Sequence, residues 1–486
     1  MPGIRYQGFS EHGINAMLKD IQSGMAKDGS QDTQSVSAYL SISGGGDNGA
    51  FGAGLLTGWT ERGDRPVFNL VTGVSTGALI APFAYLGPDY DYVLKRVYTE
   101  IKADDIFINL GLMGALFGDS LADTTPLYRL ISEYVDERLL EKIAYEYQMH
   151  NRWLLVATTN LDAGTPSIWN MGKLAAVGTP ESLKLFRKIL LASAAIPGAF
   201  PPVMIDVEAE GKSYQEMHVD GGASVEVFLY PAALGAEARR RGIVSSVRKR
   251  QEYIIRNARL DSEWKEIERN TLSILGRAVN QLIQAQGYGD LYRIYQTAQR
   301  DHVGFNLAYI GPDFNAPHSE EFDRKYMTAL YQYGHKLGAA GYPWAKYPPG
   351  YEYALDQDVK KQVVLQQQRD VTRTALAQRR HMQRHHGEAL AVGAGLGLFT
   401  RFGNLRTPGV LGAAGASGRL FLGCAAVGLH TVGRPAVGRG VGAIYIAAFV
   451  IDLGDVGGSL DDHDFDAGAR AVTILAHHGL FIALVF

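Results

Sequence analysis

One serine, one aspartate and three glycine turns are spaced for acyl transfer. Gly73-Val74-Ser75-Thr76-Gly77 has the form G-x-S-x-G. A serine on a sharp strand-to-helix turn needs small neighbours, and Gly73 and Gly77 supply them. The helix that opens after Ser75 aims its free N–H groups and positive dipole end at the turn, where developing negative charge is favoured. The same five residues also suit a tight turn with a capping serine. Upstream lies Ser43-Gly44-Gly45-Gly46-Asp47-Asn48-Gly49, a second glycine turn. Its bare backbone amides at a helix entrance suit an anion. Gly44, Gly46 and Gly49 also fit a G-x-G-x-x-G dinucleotide fingerprint. That reading wants an acidic residue ending the next strand. The next strand ends instead in Gly73-Val74-Ser75. An oxyanion hole is the better reading, since one such donor contributes about 2.7–4 kcal/mol to an acyl-transfer transition state. A nucleophilic serine needs a base. Met217-His218-Val219-Asp220-Gly221-Gly222 runs a short strand into a third glycine turn, with Asp220 where the strand ends. Two bases compete: Asp220 directly, or a histidine in a Ser-His-Asp triad, for which His302, His318 and His335 are candidates. His218 shares a strand face with Asp220, yet it reads as a packing or hydrogen-bonding residue.

The elements that must position these groups are short. Ala38–Ile42 and Val67–Val71 read as buried strands before the two glycine turns, and Ala50–Thr60 and Ala78–Tyr85 as the helices after them. Two strand-turn-helix units in tandem predict a parallel sheet with its functional loops at one end. Trp153–Asn160 is the clearest central strand, with Ile168–Asn170 as its hairpin partner. Ser182–Ala195 reads as a helix ended by Pro197. Val203–Ile205 reads as an edge strand, Tyr214–Val219 as the strand delivering Asp220, and Phe305–Ile310 as a late strand. Trp264–Gln286 reads as a long helix that buries a stripe of Ile267, Leu272, Leu275, Ala278, Leu282 and Ile283. Leu110–Phe117 is an apolar loop suited to the core or to a wall beside the site. Arg239-Arg240-Arg241 and Arg248-Lys249-Arg250 read as solvated basic clusters, with contact to anionic headgroups as the alternative.

Four blocks in order resemble the patatin-like phospholipases. They are Gly44-Gly45-Gly46-Asp47-Asn48-Gly49, Gly73-Val74-Ser75-Thr76-Gly77, Ala192-Ser193-Ala194-Ala195-Ile196-Pro197-Gly198-Ala199-Phe200-Pro201-Pro202 and Asp220-Gly221-Gly222. The resemblance spans Ser37 to Gly350. It implies a three-layer α/β domain with a mostly parallel central sheet between helices. It also implies hydrolysis of fatty-acyl esters of phospholipids or related glycerolipids by a Ser–Asp dyad, without a metal or cofactor. Carried over, Ser75 is the nucleophile, Asp220 the base and Gly44–Gly49 the oxyanion loop, with Gly73 and Gly77 framing the nucleophile and Gly221 and Gly222 the base. Many members carry a basic residue where Asn48 stands, so a fixed positive charge is missing from the loop. The rivals are a triad esterase, a non-catalytic lipid-binding module with the same fold, and a nucleotide-binding domain.

Composition sets outer bounds. The chain has 486 residues and is 46% apolar, enough for a large core. A formal net charge of −3 argues against a binder of nucleic acid held by phosphate contacts. The one cysteine, Cys424, permits no internal disulfide. The division expected is a lead segment over 1–36 with an amphipathic helix at Ile14–Met25, a catalytic domain over 37–350, a polar linker over 351–386 and a Gly/Ala/Arg-rich tail over 387–486. The tail contains no lysine and no tryptophan, the composition of GC-rich sequence read out of frame. Asp461-Asp462-His463-Asp464 reads as an acidic loop rather than a metal site. The start has no basic and apolar leader, and no apolar run reaches a membrane span. A cytoplasmic or peripheral-membrane protein is therefore expected, with lipid and a membrane surface as partners, and neither nucleic acid nor a nucleotide cofactor among them.

Overall fold

A computed structural model describes residues 3–8, 10–25, 36–110, 120–243, 249–261 and 266–351, all within one compact unit. The linker, the tail, Asp461–Asp464 and most of the Leu110–Phe117 loop lie outside the described residues.

A mixed, mostly parallel sheet runs through the unit. Its strands are β1 (Arg5–Gln7), β2 (Ser37–Ile42), β3 (Phe68–Gly73), β6 (Trp153–Asn160), β7 (Thr165–Asn170), β8 (Val203–Ala209), β9 (Lys212–Asp220), β10 (Arg250–Arg259) and β11 (Val303–Ile310). A separate short pair joins β4 (Ile108–Asn109) to β5 (Ala122–Asp123). The main sheet follows the order β1-β7-β6-β3-β2-β10-β11. The five strands from β6 to β11 in that order are mutually parallel. Parallel strands buried on both faces read as continuous apolar runs, and Leu40, Ile42, Val71, Leu154 and Val156 are fully buried.

Helices cover both faces. Gly49–Arg62, Thr76–Leu86, Pro180–Ser193 and Arg324–Ala340 pack on one core, which includes Phe51, Leu55, Ile80, Phe186 and Leu330. Glu11–Met25, Ala232–Arg240 and the C-terminal half of Thr271–Asp301 pack on the other face. The result is the three-layer arrangement expected.

Three features go beyond or against the sequence reading. The lead segment is more than a helix, because β1 adds an antiparallel edge strand against β7 and buries Tyr6. The long helix begins at Thr271, with Asn270 capping it. Of its predicted buried stripe, Leu275, Ala278 and Leu282 face outward, with Leu275 58% and Leu282 70% exposed, while Ile283 is half-buried; Ile274 beside them is 56% exposed. That helix buries its second half instead, through Leu291, Ile294 and Tyr295. Third, β10 is a central strand between β2 and β11, although its charged residues hide it from apolar periodicity.

The sheet explains why distant residues meet. β6 pairs with β3 along its first half, where Val156 lies opposite Gly73. Along its second half it pairs with β9, where Thr158 lies opposite Asp220. β7 occupies the other edge of β6. Thus β3 and β9 approach end to end along one edge of β6, and the residues just past their ends must converge.

Candidate active site

Ser75 stands at that convergence. It follows β3 and caps the Thr76–Leu86 helix with φ 53° and ψ −126°. A positive φ is uncommon for a residue with a Cβ and marks a strained turn. The pinch has a structural cause. A Cβ on Gly77 would lie 2.3 Å from the Ile42 carbonyl oxygen, and one on Gly73 would lie 2.4 Å from the Gly77 carbonyl oxygen. The two glycine turns therefore pack backbone to backbone.

Asp220 ends β9 and is 3% exposed. The Ser75 side chain lies close enough to its carboxylate to lower the carboxyl's pKa. The Gly222 amide donates to Asp220 Oδ1 at 2.7 Å. Burial pushes the Asp220 carboxyl up to about 7, and Ser75 and the Gly222 amide pull against that rise. The Ala192–Pro202 segment braces both groups. Ser193 Oγ accepts the Ser75 amide at 3.0 Å and donates to the Ala157 carbonyl at 2.7 Å. The Ala195 carbonyl accepts the Asp220 amide at 2.8 Å.

The Gly44–Gly49 loop splits into engaged and free amides. Gly44 N–H donates to the Glu226 carbonyl at 3.2 Å, Asn48 N–H to Gly45 and Gly49 N–H to Gly46. Among the described residues no acceptor takes the amide hydrogens of Gly45 or Gly46. Gly45 has φ 147° and Gly46 φ 58°, and a Cβ on Gly46 would meet nothing within 4 Å. The backbone at Gly46 faces open space. Asp47 turns its side chain away from it, accepting His318 Nε2 at 2.8 Å and the Phe322 amide at 2.9 Å. Asn48 Oδ1 accepts the Tyr326 hydroxyl at 2.6 Å. Phe107, Phe200 and Phe322 form an aromatic cluster on that flank.

Three other histidines are engaged away from the loop. His218 is fully buried, with Nδ1 on Thr158 Oγ1 at 2.9 Å and Nε2 on Glu216 at 3.3 Å. Burial lowers its pKa, so the ring is neutral near pH 7. His335 pairs with Glu61 at 3.1 Å, and His302 caps the Thr271–Asp301 helix in the left-handed region. Arg239 pairs with Asp301, and Arg240 and Arg241 with Glu237, so this basic cluster serves the protein itself.

Sequence reasoning missed a second tier. Asn257, at the end of β10, donates its amide to Ser43 Oγ at 2.9 Å and its side-chain Nδ2 to the Ser43 carbonyl at 2.9 Å, while its Oδ1 accepts Gly52 N–H at 3.0 Å. It pins both ends of the glycine loop. Ser193 stood in a quoted block without a role. Asn257 gave no signal, because β10 was not legible.

A cavity of about 590 Å³ lies at the opposite end of the strands, lined in part by Val36, Trp59, Lys249, Tyr253 and Trp344. It holds none of the residues of the three glycine turns, nor Ser75 or Asp220. Among the described residues no helix is long and apolar enough to cross a membrane.

Residues 40–232 match the family described as patatin-like phospholipase, about two fifths of the chain. No curated protein matches. The crystal structure of VipD from Legionella pneumophila aligns at 11% identity over 63% of this chain and 67% of that one, with a TM-score of 0.25. A likeness that weak carries no inference.

Proposed function

From the premise that residues 40–232 form a patatin-like phospholipase domain, we propose that this chain hydrolyses fatty-acyl esters of phospholipids or related glycerolipids through a Ser75–Asp220 dyad. The family match supports lipid acyl hydrolysis in general. The observation that supports the dyad is the placement of Ser75, on its strained turn, beside a buried Asp220 whose pKa it lowers.

In this mechanism the Asp220 carboxylate accepts the Ser75 proton as Oγ attacks the acyl carbonyl. The Gly45 and Gly46 amides receive the oxyanion. Asp220 then protonates the leaving alkoxide oxygen. In the second half Asp220 takes a proton from water, which attacks the acyl-serine and frees the fatty acid. In water a carboxylate with a reference pKa near 3.9 is too weak a base for this step. Desolvation moves Asp220 toward neutrality, where a general base works best. The outward-facing Ile274, Leu275 and Leu282 lie on the helix that also touches the base turn, with Ile283 against Gly222. Exposed apolar residues beside a lipid-directed site support docking on a membrane surface.

The test is hydrolysis of mixed phospholipid vesicles beside labelling by a fluorophosphonate probe. Ser75→Ala and Asp220→Ala should each lose about 10⁴-fold or more in rate, and the probe should label Ser75 alone. Full activity in Ser75→Ala would overturn the reading. Activity kept in Asp220→Ala but lost in His318→Ala would replace the dyad with a triad.

A further inference from the structure

A second carboxyl lies between the oxyanion loop and the base turn. Glu226 is 3% exposed, and its carbonyl holds the Gly44 amide. A Cβ on Gly44 would lie 2.8 Å from Glu226 Oε1 and 2.9 Å from Oε2. A Cβ on Gly222 would lie 2.5 Å from Oε2 and 3.1 Å from Asp220 Oδ1. The carboxyl therefore fills the slot between the two turns, and glycine at 44 and 222 is what leaves room for it.

The groups around it come from three elements. On the base turn stands Asp220, the proposed base. From β10 comes Arg256, fully buried, whose Nη2 is held by Gln284 at 2.7 Å and whose Nε and Nη1 find no hydrogen-bond partner among the described residues. Tyr288 faces that guanidinium at 5.6 Å. From the Thr271–Asp301 helix comes Asp290, 2% exposed, which accepts the Glu226 amide at 2.7 Å and pairs with Arg293 at 3.2 Å. Glu226 and Arg256 interact through charge without forming an ion pair within 4.0 Å.

We propose that Glu226 is a positioning residue that must be uncharged for turnover, spacing the oxyanion loop from the base turn and withholding negative charge from the amides that receive the oxyanion. The proposal rests on the hydrolase reading above. Its physical basis is crowding of like charges. Asp220 must be an anion to act, and the buried cation in this cluster, Arg256, couples by charge to Glu226 and Asp290 rather than to Asp220. A second anion in the same dry space would oppose both the Asp220 carboxylate and the oxyanion. When two carboxyls share a site, one holds its proton to higher pH. Burial, with Asp220 and Asp290 nearby, pushes the Glu226 carboxyl up to about 8 against the opposing pull of Arg256. The catalytic window then lies between ionisation of Asp220 and ionisation of Glu226.

The experiment is a pH profile of kcat/KM on a soluble short-chain ester, together with the rate of fluorophosphonate labelling at Ser75, from pH 5 to 10. The readout is the ratio of the rate at pH 9.5 to that at pH 7.5 within each variant, which cancels folding yield. Thermal unfolding at pH 9.5 checks that every variant compared remains folded. Wild type should lose about tenfold or more across that interval. In Glu226→Gln the ratio should return to near one. The same alkaline loss in wild type and Glu226→Gln would overturn the proposal. If Glu226→Gln does not fold, Asp290→Asn decides. Removing that neighbouring anion should let Glu226 ionise earlier and move the alkaline limb to lower pH. An unmoved limb would overturn the proposal. Labelling of Ser75 separates this from failure of the hydrolase reading, in which Ser75 would label at no pH.

Discussion

At the residue scale, a base that works near neutral pH is a residue the fold holds at a loss. Asp220 is buried, and its raised pKa means that the folded state favours the protonated form more than the unfolded chain does. The sign follows from linkage. A carboxyl with folded pKa near 7 and unfolded pKa near 3.9 adds its full stability below pH 4, and that stability is lost as pH rises through 7. Asp220→Asn removes the charge and keeps the shape. It should therefore be inactive and yet more stable than wild type at pH 8, by up to about 4 kcal/mol, with the difference shrinking toward pH 4. Urea unfolding at both pH values checks this, and equal stability at pH 8 would show that Asp220 is not buried as an anion. In the proposed mechanism the same charge state sets the rate. Activity should rise with pH through about 7 as Asp220 loses its proton.

At the element scale, two helices set the geometry behind the glycine loop. Gly49–Arg62 leaves the loop, and Arg324–Ala340 carries Tyr326, which holds Asn48. They touch through glycines spaced four apart on each, Gly54 with Gly58 and Gly334 with Gly338. A Cβ on Gly54 would lie 2.0 Å from the Tyr331 carbonyl oxygen, and one on Gly334 would lie 2.4 Å from that of Phe51. In an exposed helix Gly→Ala gains about 1 kcal/mol. Here backbone would have to move, so the sign reverses. Gly54→Ala and Gly334→Ala should each destabilise by about 1–3 kcal/mol, measured as a lower Tm. A raised Tm would mean the helices can part freely.

The outward stripe of the Thr271–Asp301 helix invites the opposite expectation. Leu275→Gln and Leu282→Gln should change stability by no more than about 0.5 kcal/mol, while Leu291→Ala in the buried half should cost about 2–5 kcal/mol. Chemical denaturation separates these values. Periodicity identified an apolar stripe there and assigned it to the core, because the pattern records which residues share a face and not what that face meets. The strands around Ser75 and Asp220 were legible because their apolar runs end in glycine turns. β10 was not, since Glu252, Arg256 and Asn257 interrupt its pattern and are nonetheless buried. Arg256 and Asn257 are polar because that end of the strand braces the glycine loop and faces the buried charges.

At the scale of the whole molecule, the family match and the folding unit have different boundaries. The match ends at residue 232, but the sheet does not. β10 and β11 follow it, and β10 pairs along all of β2, from Ser37 opposite Arg250 to Ile42 opposite Ile255. Without them β2 would become an edge with a row of unpaired N–H and C=O groups. The glycine loop would lose Asn257, and the Gly49–Arg62 helix would lose its partner helix. A chain cut after Pro231 should therefore be insoluble or unfolded, although it keeps Ser75, Asp220 and every glycine of the three turns. A chain ending at Tyr351 keeps every described residue that holds the site, and it should fold and label at Ser75. Far-ultraviolet circular dichroism and probe labelling of the two chains test the pair together. A folded, labelling chain that ends before β10 would show that the oxyanion loop holds its shape without the strand beside it, and the assignment of Asn257 as its brace would fall.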